Sequence, residues 1–147
     1  MFRRFIAAML IVLSLSSVSY GKIKDMGLFT VDLPVGWTGQ KQREGSYLFS
    51  TVDKSAGIEL DVVMLDDMSL KDAVDIVAEN LYGTKPRYDY DDEVYRFVFR
   101  RDDVTFNVAA TGVTTEGYKE DNVLIVLIWA NIGRSVVDRI ISSITFK

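Results

Sequence analysis

Val123-Leu124-Ile125-Val126-Leu127-Ile128-Trp129 is an unbroken apolar run of mostly branched residues. A run of this length and composition reads as a strand. Successive strand side chains point to opposite faces, so this one needs cover on both. It therefore calls for a sheet with material on each side, which the neighbouring sequence must supply.

Downstream, Gly133 to Ile144 carries Val136, Val137, Ile140, Ile141 and Ile144 at helical spacing, with Arg134, Asp138 and Arg139 on the other side. That is one amphipathic helix. Upstream, Tyr95, Phe97 and Phe99 alternate with Arg96 and Arg100, Arg101-Asp102-Asp103 makes a turn, and Val104, Phe106 and Val108 form the return strand. Thr114 to Asp121 is a polar connection. Ser69 is a good helix N-cap, with Asp72 three residues on. Leu70, Ala73, Val74, Val77 and Leu81 then form a second helical stripe, which Gly83 stops at a left-handed position.

Nearer the start, Phe29, Val31 and Leu33 alternate with Thr30 and Asp32. Pro34 ends that strand, Gly36 permits a turn and Trp37 resumes apolar contact. Tyr47 to Thr51 and Ile58 to Leu65 are two more strands, joined by a polar turn at Asp53 to Gly57. Ile58, Leu60, Val62 and Met64 share one face of the longer strand. The order is β-β-β-α-β-β-β-α with short hairpin connections, which favour antiparallel pairing. The expected fold is α+β: a three-layer α/β/α sandwich around a mostly antiparallel sheet of about six strands.

Residues 1–21 are set apart from that domain. Arg3 and Arg4 precede an apolar run from Phe5 to Leu13, and Ser19-Tyr20-Gly21 places small residues at the −3 and −1 positions of a cleavage site before Lys22, with Ser17-Val18-Ser19, before Tyr20, a second possible site. This is the pattern of a secretory signal peptide, and its apolar run is shorter than a bilayer span. The expectation is a signal peptide at 1–21, a single domain at 22–147, and a periplasmic or secreted address. No later stretch is long enough for a transmembrane helix.

Leu33-Pro34-Val35-Gly36-Trp37 after an alternating strand, Ser69-Leu70-Lys71-Asp72-Ala73 at a helix start, and the closing Ile140-Ile141-Ser142-Ser143-Ile144 together resemble the PsbP-like superfamily. No one segment is specific; their order and spacing from about Leu28 to Phe146 carry the resemblance. It implies the three-layer sandwich. It also implies a role shared with members such as the photosystem II extrinsic subunit and small bacterial envelope proteins, which mostly bind or stabilise other proteins. It transfers no functional residue to this chain.

The composition narrows the chemistry. At 48% hydrophobic and 26% charged residues the chain can pack a core. It has no cysteine and no histidine, which rules out disulfides, Ser-His-Asp and Cys-His catalysis, and the commonest metal ligand. The formal charge of −4 becomes −6 without Arg3 and Arg4, the wrong sign for generic nucleic-acid binding. No catalytic, cofactor or metal motif is found. The expectation is a non-catalytic envelope protein that binds or stabilises an unidentified protein partner. The alternative is a small-molecule or lipid-binding module with an apolar pocket between sheet and helix, lined by Trp37, Phe97 or Trp129.

The candidate partner surface is Tyr88, Asp89, Tyr90, Asp91 and Asp92, part of a polar connection from Thr84 to Glu93. Tyrosines on a polar loop offer contact area at low entropic cost, and the acids favour a basic partner. A calcium loop opening at Asp89 would need glycine sixth and glutamate twelfth; Val94 and Arg100 stand there instead. Asp66-Asp67 and Asp102-Asp103 are read as turn residues, Trp37 and Trp129 as core, and Arg96, Arg100 and Arg101 as a charge-balanced surface.

Overall fold

A computed structural model describes residues 20–146. The expected signal segment lies outside the described residues up to position 19, and Tyr20 and Gly21 open the first strand.

Ten strands and two helices are present among the described residues: β1 Tyr20–Asp25, β2 Phe29–Pro34, β3 Trp37–Arg43, β4 Ser46–Thr51, β5 Gly57–Met64, α1 Leu70–Asn80, β6 Arg87–Asp89, β7 Val94–Arg101, β8 Val104–Val113, β9 Val123–Trp129, α2 Arg134–Ser142 and β10 Thr145–Phe146. The strands form a seven-stranded sheet in the order β3-β4-β5-β9-β8-β7-β6 and a three-stranded sheet in the order β1-β2-β10. The chain divides into two compact units, residues 59–130 and residues 20–58 with 131–146.

In the first unit, β6, β7, β8 and β9 pair antiparallel in sequence order. β9 is buried on both faces, with only Ile128 half-buried, as an all-apolar central strand must be. α1 packs on β7 and β8. Ala73, Val74 and Ala78 meet Phe97, Phe99, Val108, Ala110, Leu124 and Val126 in one apolar cluster. Ser69 caps the helix, its Oγ accepting the Asp72 N–H at 3.1 Å. At the other end the Gly83 N–H reaches the Ala78 carbonyl and the Tyr82 N–H reaches that of Glu79, the paired bonds of a Schellman cap. The left-handed residue of this cap is Tyr82, at φ 56°, and not Gly83. Gly83 is required for a different reason: a Cβ there would sit 2.7 Å from the Phe97 ring.

In the second unit, Phe29 of β2 meets Tyr47, Phe49 and Phe146 at ring-centroid distances of 4.9, 6.1 and 5.4 Å. α2 packs on β2 and buries Val137, Ile140 and Ile141. The Ser143 hydroxyl fastens the end of α2 to the strand. It accepts the Asp32 N–H at 2.9 Å and donates to the Ile140 carbonyl at 2.7 Å.

The three-layer α/β/α sandwich expected from the sequence, and implied by the PsbP-like resemblance, is not the architecture. The chain is mostly sheet. Among the described residues only two helices accompany a seven-stranded antiparallel sheet and a separate smaller one; α1 packs on β7 and β8, and α2 packs on β2 of the smaller sheet. The expected count of about six strands leaves out β1, β3, β6 and β10. β3 is a polar edge strand with Gly39 alone buried, so apolar alternation does not reveal it. β6 and β10 are only three and two residues long. One face assignment also changes: Met64, placed with Ile58 and Leu60 by alternation, is 53% exposed.

Candidate functional site

Tyr88 to Asp92 forms a corner at the edge of the seven-stranded sheet. β6 pairs with β7 through Arg87–Arg96, Tyr88–Tyr95 and Asp89–Val94, so part of the expected loop is strand. The turn beyond β6 is organised by Asp89. Its Oδ1 accepts the N–H groups of Asp91 and Asp92 at 3.0 and 3.4 Å, the local bonding for which aspartate is favoured in turns. Arg96 then bridges two carboxylates. Its Nε donates to Asp89 Oδ2 at 3.1 Å and its Nη2 to Asp92 Oδ2 at 2.7 Å. The hydrogen bond from this guanidinium holds the Asp89 carboxyl below its ordinary pKa; burial opposes it, and the two backbone N–H groups each add a smaller lowering.

The tyrosines stack on this frame. Tyr88 contacts Tyr90 edge-on at 4.8 Å and Tyr95 at 4.9 Å. Tyr90 is 81% exposed. The structure therefore brings all five expected residues together. It adds Tyr95 and Arg96, which alternation assigns to the core and to a charge-balanced surface. Arg96 balances part of the corner's negative charge, and the corner presents outward the Tyr90 ring and the exposed Asp91 carboxylate. Of the three arginines read as a charge-balanced surface, Arg96 is paired here with two carboxylates and Arg101 lies over the Phe99 ring at 5.5 Å.

A second concave feature lies elsewhere in the same unit. Met64 to Leu70 and Tyr118 to Asn122 line an open groove of about 900 Å³. Its walls are tied by the Leu65 N–H, which donates to the Asn122 carbonyl at 3.0 Å. Asn122 is fixed in turn: its Oδ1 accepts the Thr115 N–H and its Nδ2 donates to Thr115 Oγ1. Thr114 Oγ1 donates to Asp121 Oδ1 at 2.8 Å. Asp121 packs so closely on Gly112 that a Cβ there would stand 2.4 Å from its carboxylate. Asp66 and Asp67 make the turn expected of them, both left-handed at φ 49° and 68°; Asp102 and Asp103 do the same at 52° and 63°. Sequence patterning does not reveal the groove, because its two walls lie roughly fifty residues apart in the chain. The one signal present is the placing of Met64, Met68 and Tyr118 in or beside polar connections.

The space between α1 and the sheet is filled by Val74, Ala78, Phe97, Leu124 and Val126. Trp129 is buried and Trp37 is half-buried. No group of three acidic side chains among the described residues is placed to hold a metal ion. No described helix is long and apolar enough to cross a membrane.

No protein-family description and no curated protein sequence matches the chain. A crystal structure from Bacteroides thetaiotaomicron VPI-5482 is similar to it with a TM-score of 0.52 at 13% identity, over 86% of this chain. The match spans 48% of that protein's length. At this identity the similarity concerns the fold alone.

Proposed function

We propose that this is a non-catalytic exported protein of the cell envelope that binds or stabilises a protein partner, using the Tyr88–Asp92 corner as contact surface. The observation that carries the reading is the tyrosine stack held at a sheet edge by the Arg96 bridge. A rigid, amphipathic aromatic anchor loses little freedom on binding, and such anchors carry much of the energy of protein interfaces. The PsbP-like resemblance of Leu33–Trp37, Ser69–Ala73 and Ile140–Ile144 supports the same reading, and a place in that superfamily belongs to the proposal. The signal-like pattern at residues 1–21 supports the address.

The test is affinity capture of the tagged protein from its native envelope after mild crosslinking, beside the Tyr88→Ser/Tyr90→Ser variant. A discrete partner that the variant loses is the expected result. A partner retained by the variant would move the surface elsewhere, and no reproducible partner would overturn the reading. The N-terminus of the exported protein is expected near Lys22 or Tyr20; an intact Met1 would overturn the address.

A further inference from the structure

We infer that the groove between Met64–Leu70 and Tyr118–Asn122 is a docking site for a basic, amphipathic peptide segment, one that alternates Lys or Arg with apolar side chains. Three large apolar side chains stand exposed along it: Met64 at 53%, Met68 at 42% and Tyr118 at 57%. Methionine adapts its shape to varied apolar partners, and a tyrosine face attracts a Lys or Arg cation. The same groove is lined by Asp66, Asp67, Glu120 and Asp121 against one cation, Lys119. Asp66, Asp67 and Glu120 make no ion pair among the described residues.

Apolar surface beside uncompensated negative charge complements a ligand that is apolar and positive at once. About 900 Å³ accommodates a few residues of an extended chain. A second copy of this chain is a poor occupant, because its net charge has the same sign. A free small cation would leave the methionines uncovered. No residue of the tyrosine corner takes part in the groove, so the two surfaces stand or fall separately.

The groove is tested on the full chain with a fluorescein-labelled peptide alternating Lys and Val, followed by anisotropy. Peptides alternating Glu with Val and Lys with Ser are the controls. Only the Lys/Val peptide is expected to bind, with amide shifts in ¹⁵N NMR spectra at 64–70 and 118–122. Raising salt from about 50 to about 300 mM weakens it, as expected of exposed charges. Asp66→Asn/Asp67→Asn/Glu120→Gln weakens it about tenfold, the sum of three modest charge contacts. Asparagine tolerates the left-handed backbone at 66 and 67, so the variant keeps the turn. Tyr118→Ser weakens binding by a change on the apolar side, and Asp89→Asn/Asp91→Asn/Asp92→Asn leaves it unchanged. No binding of the Lys/Val peptide, equal binding of the Glu/Val peptide, or loss of binding only in the corner variant would each overturn the inference. Concentration-dependent dimers with shifts at the same residues would overturn it in favour of a second copy.

Discussion

The corner at Asp89–Asp92 and the groove rim at Asp66, Asp67 and Glu120 are both acidic, and they use their charge in opposite ways. At the corner the carboxylates are structural: Asp89 gathers two backbone N–H groups, and Arg96 spans Asp89 and Asp92. At the rim, Asp66 and Asp67 sit on left-handed backbone, and neither they nor Glu120 has a cation paired to it among the described residues. The densest acidic run in the sequence is thus partly neutralised inside the protein. The sparser acids, brought together from two distant segments, remain available to a ligand. Density of like charge along a chain does not measure the field it presents; the field depends on which counter-charges the fold delivers.

The largest expected effect tests whether the rim depends on a close backbone approach. Gly112→Ala puts a Cβ against the Asp121 side chain, whose own Cβ would be only 2.9 Å away. The neighbour cannot yield by its tip alone, so stability falls by about 2 kcal/mol in urea unfolding. An unchanged midpoint would mean that the wall at 118–122 is soft.

Next is Arg96→Ala, which removes the corner's counter-charge from a site where its side chain is only 28% exposed. The melting temperature is expected to fall by a few degrees at pH 7. Because the folded pKa of Asp89 is lowered, its contribution is fully present above the ordinary carboxylate value and is lost as pH falls through the folded value. Wild type and Asp89→Asn should therefore converge in acid, and a gap that persists there would break the assignment of the corner as charge-stabilised.

Asp32 is a third case, buried on β2 with its pKa raised by burial. The sign reverses: stability is highest below the ordinary value and declines as pH rises through the folded one. Asp32→Asn should melt higher than wild type at pH 7, with the difference vanishing in acid.

The smallest effect sharpens the contrast most. Asp67→Gly relieves left-handed strain at the rim at the cost of added backbone freedom, so it should raise stability by about 0.5 kcal/mol. The acids that hold structure and those that do not would then differ in the sign of their substitution effects. A loss on Asp67→Gly would place Asp67 with the corner.

Several local features are legible in the amino-acid sequence: the Ser69 cap, the aspartate-pair turns, both helical stripes, and the burial of β9 on two faces. Each follows from periodicity or from bonding within a few residues. The five residues of the corner are legible as a group because they are contiguous. Their bridge to Arg96 is not, since nothing in alternation says which carboxylate an outward arginine meets. Gly83 does mark the end of α1, but its requirement comes from Phe97 in another element and not from a left-handed backbone.

What the sequence determined by itself is therefore which faces must be buried and where the chain can turn, since side-chain periodicity and short-range hydrogen bonds set both. Tertiary structure decided what covers those faces. β2 takes its partners from β1 and β10, which lie far apart in the chain, and Ser143 is fastened to Asp32 across 111 positions. Helix α2 packs on that strand, roughly a hundred positions earlier in the chain. The groove likewise brings together two distant segments, joined by the hydrogen bond from Leu65 to Asn122. Such pairings are selected by the free energy of the whole packed chain, and a local pattern that is equally content with several covers does not encode the choice among them.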